Sequence, residues 1–248
     1  MIRVSGLIVE PWRGRLVSQD LHLIEHFRQA LCSDRGESDY IIAQENDYSV
    51  YYVPFERVNS DARLVLVGIR PGPTQAKCAR TRARQLIRDR SEDLKALREI
   101  KRSCAFLGMR ARINQIPTSL VPNAAFKAGK YFNGPFEAIL NVAILRRQFE
   151  ENFLPSVARV NKRALYVGMG PVVDEALGWC ADRGVIKAEQ VLGYFPHASA
   201  SSGSQFNYFL RKKCLSDLKL GDPVRDRAMN LDAAYNRIKA NLERLFPG

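Results

Sequence analysis

The stretch RLVLVGIRPGPTQ (63–75) decides the fold. Its first half, RLVLVG (63–68), is too uniformly apolar for a strand with one wet face and suits a parallel strand buried on both. Pro71-Gly72-Pro73 ends it, and a basic helix is expected from about Thr74. The pattern returns in RALYVG (163–168), followed by a helix from Pro171 to about Trp179, and then in EQVLGYF (189–195), the last strand of the set. Strands alternating with helices at this length predict an α/β protein. The expected architecture is a three-layer α/β/α sandwich around a mostly parallel sheet. Active sites in such folds collect at the C-terminal ends of the strands. The loops after 63–68 and after 189–195 are therefore the first places to look for chemistry.

The flanking segments extend this frame. SVYYVPF (49–55) and INQIPTSLVPN (113–123) read as extended pieces. A helix opening near Asn133-Gly134-Pro135 presents Phe136, Leu140, Ile144 and Phe149, and Pro155 is expected to end it. Leu21, Ile24, Phe27 and Leu31 give a helix over 18–32 with Ser18 as N-cap, and a last helix is expected over 225–245. Its Tyr235, Ile238 and Leu242 suit either packing on the domain or self-association. With no repeat and no Gly/Ser linker, residues 1–248 read as one domain with a core at about 48–215.

Composition excludes several classes. A chain of 248 residues with 46% hydrophobic and 26% charged side chains matches an ordinary folded protein, and no apolar run is long enough to span a membrane. No signal peptide opens the sequence. Five scattered cysteines (Cys32, Cys78, Cys104, Cys180, Cys214) without a C-x-x-C pair argue against a metal site and a disulfide framework, and favour the reducing cytoplasm. No cofactor motif is present. The net charge of +12 points to a polyanion, DNA above all. Twelve basic side chains stand against four acidic ones between 77 and 112, so most of the surplus is local. Arg80 and Arg84 belong to that run and are expected to grip phosphates, against the plainer reading of a solvated helix face.

Neither strand-end loop fits a common phosphate motif. After Gly68-Ile69-Arg70-Pro71-Gly72 there is no Gly-Lys-Ser/Thr, and the glycine spacing is wrong for a dinucleotide fingerprint. The other loop carries His197, one of three histidines (His22 and His26 lie on the N-terminal helix), followed by Ala198-Ser199-Ala200-Ser201-Ser202-Gly203. Small, hydroxylated residues of this kind can approach a nucleic-acid backbone and bind its phosphates.

Together, Gly68-Ile69-Arg70-Pro71-Gly72 and His197-Ala198-Ser199 resemble the two motifs of the uracil-DNA glycosylase superfamily, one of the Gly-x-x-Pro-Gly type and one of the His-Pro-Ser type. The lead-in from Tyr51 and the segment after Pro196 look most like a bacterial branch of that superfamily. The resemblance implies a monofunctional DNA glycosylase, monomeric and without cofactor, that flips a nucleotide out and hydrolyses its N-glycosidic bond. It implies that His197 stabilises the departing base, that Ser199 and Ser201 hold phosphates, and that Gly68, Ile69, Pro71 and Gly72 form the wall beside the substrate.

The sequence departs from the family pattern at two positions. Where an acidic residue or asparagine usually positions the water, this chain has Arg70, which cannot accept a proton. The water then falls to Gln75 or main-chain carbonyls, or Arg70 contacts the substrate, or the chain binds DNA without cleaving it. The middle strand has Thr118-Ser119-Leu120-Val121 in place of a base-reading asparagine, with Asn123 two residues beyond. Both changes imply a modified pyrimidine rather than plain uracil. A bulky modified base of phage DNA is one such substrate, which would make this an antiviral defence enzyme as well as a relative of repair enzymes. The alternative is an inactive DNA-binding module of the same fold.

Overall fold

The computed structural model describes residues 3–4, 7–8, 26–33, 37–55, 60–89, 115–197 and 203–247. A short antiparallel ribbon joins β1 (Arg3–Val4) to β2 (Leu7–Ile8). Two four-stranded sheets then organise the chain. The antiparallel one runs β3 (Ile41–Glu45), β4 (Tyr48–Tyr51), β7 (Ala124–Lys127), β8 (Lys130–Tyr131). The parallel one contains β5 (Leu64–Gly68), β6 (Gln115–Ser119), β9 (Leu165–Met169) and β10 (Val191–Phe195), in the spatial order β6-β5-β9-β10. The helices are α1 (Arg28–Ser33), α2 (Pro73–Arg88), α3 (Phe136–Asn141), α4 (Ala143–Gln148), α5 (Leu154–Arg159), α6 (Pro171–Asp182), α7 (Gly203–Phe209) and α8 (Pro223–Leu245).

The three expected strands fall where their apolar runs place them, and the reason is visible in β5. Val65 and Val67 enter the larger core with Tyr166, joined by Val173, Ala176 and Leu177 of α6 and by Phe136, Ile139 and Leu145 of α3 and α4. Leu66 points the other way and meets Val167 and Leu192 under Ile238 and Leu245 of α8. Helices thus cover both faces, and each such side chain contributes about 1.5–3 kcal/mol by leaving water. Gly193, at φ +122°, lets α8 lie close on β10: a Cβ there would meet Ile238 at 3.3 Å. The terminal helix therefore packs on the sheet through Ile238, and Asn241 Nδ2 donates to Leu192 O at 3.1 Å.

Four expectations need correction. The second sheet was not anticipated: 49–55 contributes β4 only over 48–51, and its partners β3, β7 and β8 are short and mixed in polarity. The single helix expected from 133 to Pro155 is broken at Val142 (φ −89°, ψ 118°). It then continues through a π-helical turn, Phe149–Phe153, into α5. Pro155 sits just after the π-helical turn, in the first turn of α5, so it lies inside a continuing helix rather than ending one. The cysteines are not all free of cross-links: Cys78 on α2 is disulfide-bonded, with its partner outside the described residues, because folding can join cysteines that spacing does not pair. The helix expected over 18–32 is seen as α1 at its C-terminal end; residues 18–25 lie outside the described residues, as does 90–112 of the basic run. Among the described residues no helix is long and apolar enough to cross a membrane.

Candidate active site

The parallel sheet sets the location. β5 has β6 on one side and β9 on the other, so the chain reverses its direction of winding between β5 and β9. At such a switch point the two following connections leave in opposite directions and open a crevice beyond the strand ends. A small, partly open cleft lies there. Arg70, Gln75, Ser119 and His197, far apart in sequence, all line it.

Gly68 and Ser119 are paired at the ends of β5 and β6, and the pairing continues outward through Leu120 N–H to Gly68 O and Val121 N–H to Ile69 O, both 2.9 Å. This carries Ser119 to the rim. A Cβ on Gly68 would stand 3.0 Å from Met169 Cε, so the glycine leaves room for Met169 to floor the cleft. Gly72 caps α2, and its N–H donates to Gln75 Oε1 at 2.8 Å, which orients Gln75 from the first turn of the helix. Gly68, Ile69, Pro71 and Gly72 are not among the residues lining the cleft: Gly68 and Ile69 pair with the end of β6, while Pro71 O and Gly72 N–H hold the side chains of Arg70 and Gln75.

Arg70 is held firmly. Its Nε–H donates to Phe132 O at 2.7 Å, one terminal nitrogen to Pro71 O at 3.0 Å and the other to Asn133 Oδ1 at 3.0 Å. The guanidinium carbon lies 4.2 Å from the centroid of the Tyr131 ring. Burial brings its pKa down to about 10, slightly offset by Tyr131. His197 follows Pro196 directly after β10. The residue reaches solvent, yet burial of the ring, and after it the positive charge of Arg70, hold its pKa below the ordinary 6.5. The imidazole is therefore neutral at pH 7, with one nitrogen donating and the other accepting.

Three sequence-derived site residues prove to have structural duties. Asn123 is buried outside the cleft lining: its Oδ1 accepts from Val53 N–H at 2.9 Å and its Nδ2 donates to Gln148 Oε1 at 2.8 Å. Arg80 and Arg84, expected on phosphates, turn inward. Arg80 Nε–H donates to Tyr52 O at 3.0 Å with its guanidinium over Tyr40, and Arg84 Nε–H donates to Leu31 O at 2.7 Å. The alanines Ala76, Ala79 and Ala83 pack the same face of α2, leaving Lys77, Arg82 and Arg88 as its outward cations. Ser199 and Ser201 lie outside the described residues.

Sequence reasoning missed Phe55, Pro117, Thr118, Pro122 and Met169 of the lining. Met169 had a signal, since it ends β9, the strand that lies between β5 and β10. Phe55 ends the Val53-Pro54-Phe55 segment, and nothing in its spacing points to a cleft. Comparison with known proteins finds no matching family model, no curated protein and no solved structure.

Proposed function

We propose that this chain is a DNA glycosylase that takes a flipped, modified pyrimidine into the cleft at the β5/β9 switch point and hydrolyses its N-glycosidic bond. One observation carries the reading: a neutral His197 stands in the same strand-end cleft as Arg70, Gln75 and Ser119, the side chains of both candidate loops and the strand between them.

The reaction breaks the C1′–N bond, with its electron pair leaving on the base, and joins a water oxygen to C1′. The base takes up a proton and the sugar becomes an abasic site. A neutral imidazole N–H pointed at a base oxygen stabilises the charge as it appears, and the cation of Arg70 adds to the same field. Gln75, oriented by the Gly72 N–H, belongs to the same lining and is assigned to hold the attacking water. Ser119 reads the base edge, and the serines after His197 approach the phosphates. Arg70 itself takes no proton.

A second reading is favoured by that last point. With a guanidinium where a proton acceptor is usual, the same cleft would serve a DNA-binding module that does not cleave. Base release separates the two. Duplex and single-stranded DNAs carrying uracil, mismatched thymine, and hydroxymethylated or glucosylated cytosine are incubated with the protein, and abasic sites are read by alkaline cleavage. Release from a modified pyrimidine that exceeds release of uracil supports the enzyme. No release with salt-sensitive DNA binding supports the module. His197→Ala is expected to lower the rate about 10²–10³-fold, the loss typical of one preorganised donor to a developing anion, while leaving DNA affinity intact.

A further inference from the structure

Among the described residues, the half-buried cation of Arg70 meets only neutral groups. Its hydrogen-bond acceptors are two carbonyls and the amide of Asn133, and its ring partner is Tyr131. Arginines of the fold that do have a described acid partner differ: Arg211 pairs with Asp232, Arg237 with Asp174 and Arg147 with Glu151. No acid is found among the described residues lining the cleft, which otherwise holds aromatic, amide, hydroxyl, imidazole and apolar groups. A cation taken partly out of water costs free energy unless an anion joins it. The fixed guanidinium has five N–H donors, three of which are bound to the protein, so two remain for a ligand. Its backbone-anchored pose removes the entropy cost of ordering a long side chain, which suits recognition of paired oxygens.

From this we infer that the cleft is an anion site in which Arg70 binds a carboxylate or phosphate of the nucleotide. The inference rests on the glycosylase reading for the word nucleotide, and on the unneutralised cation for the rest. Two sources supply such oxygens: an acidic substituent on the pyrimidine ring, or a phosphate beside the flipped nucleotide. The start of α2, which has no acidic residue in its first turn, adds to the field of the same sign.

The test is calorimetric titration of the full chain at low salt with uracil, uracil-5-carboxylate, deoxyuridine and deoxyuridine 5′-monophosphate. Wild type is compared with Arg70→Gln and with Asn133→Asp. The second variant keeps Arg70 and its loop but places a carboxylate on the oxygen that already accepts from it, so it neutralises the cation without removing it. One anionic ligand is expected to bind about tenfold or more tightly than its neutral counterpart, the size of a charge-assisted bond. That ratio should fall towards one in both variants. A preference within the base pair of ligands assigns the ring substituent, and one within the nucleoside pair assigns the phosphate. Equal binding of charged and neutral ligands overturns the inference, as does a preference that survives both variants. In either case base release from DNA can still be observed, and the glycosylase reading stands. Failure of every ligand to bind overturns the inference and, with no base release, the glycosylase reading too.

Discussion

Arg70 and His197 act on each other through charge. The guanidinium raises the cost of protonating the imidazole, and burial raises it further, so both push the His197 pKa below 6.5, burial being the larger cause. Removing the cation should let the pKa rise while burial keeps it under the ordinary value. An NMR titration of the imidazole resonances in wild type and Arg70→Gln checks this, with a pKa under 6.5 in both and the higher value in the variant. A lower value in Arg70→Gln would show that the two groups are not coupled as described. His197 was legible in the sequence because a strand end followed by small hydroxylated residues is a chemically unusual context. The lowering of its pKa was not, because that depends first on burial in the folded molecule and then on a neighbour 127 positions away.

Among the elements, α2 shows why a count of charges misleads. Its sequence is rich in arginine throughout, but the helix has one face on Ala76, Ala79 and Ala83, and Arg80 and Arg84 fall on that side. Long side chains there reach the backbone carbonyls of Tyr52, just after β4, and of Leu31 in α1. Arg84→Gln should therefore cost about 1–2 kcal/mol in urea denaturation, as a charge-assisted bond to Leu31 O is lost. Lys77→Gln and Arg82→Gln should leave stability unchanged and each lower the salt slope of DNA binding by about 1. Asn123 is the polar counterpart. Its two hydrogen bonds tie Val53 and Gln148 to the connection between β6 and β7, so Asn123→Ala strands a buried N–H and a buried amide. A loss of about 2–3 kcal/mol is expected by the same denaturation, whereas Ser119→Ala should be near neutral. Proximity to the Thr-Ser-Leu-Val stretch suggested a site role for Asn123; only the folded core shows which way its amide points.

At the scale of the whole molecule, β5, β9 and β10 of the parallel sheet were readable because they are built of apolar residues that enter the cores on both faces, whereas β6, with Gln115, Thr118 and Ser119, carries no such run. The antiparallel sheet was not, since β3 and β8 carry exposed polar residues and follow no clean alternation. The sheet order follows from neither propensity nor periodicity, yet it fixes the function proposed here, because only the reversal between β5 and β9 puts Arg70, Ser119 and His197 around one space. The measurement that tests this most directly is the single-turnover rate of base release from DNA carrying a modified pyrimidine, for wild type and His197→Ala at matched DNA occupancy. The account predicts release by the wild type and a loss of about 10²–10³-fold in the variant. Release that persists unchanged without His197, or no release from any substrate by a chain that binds DNA, would contradict it.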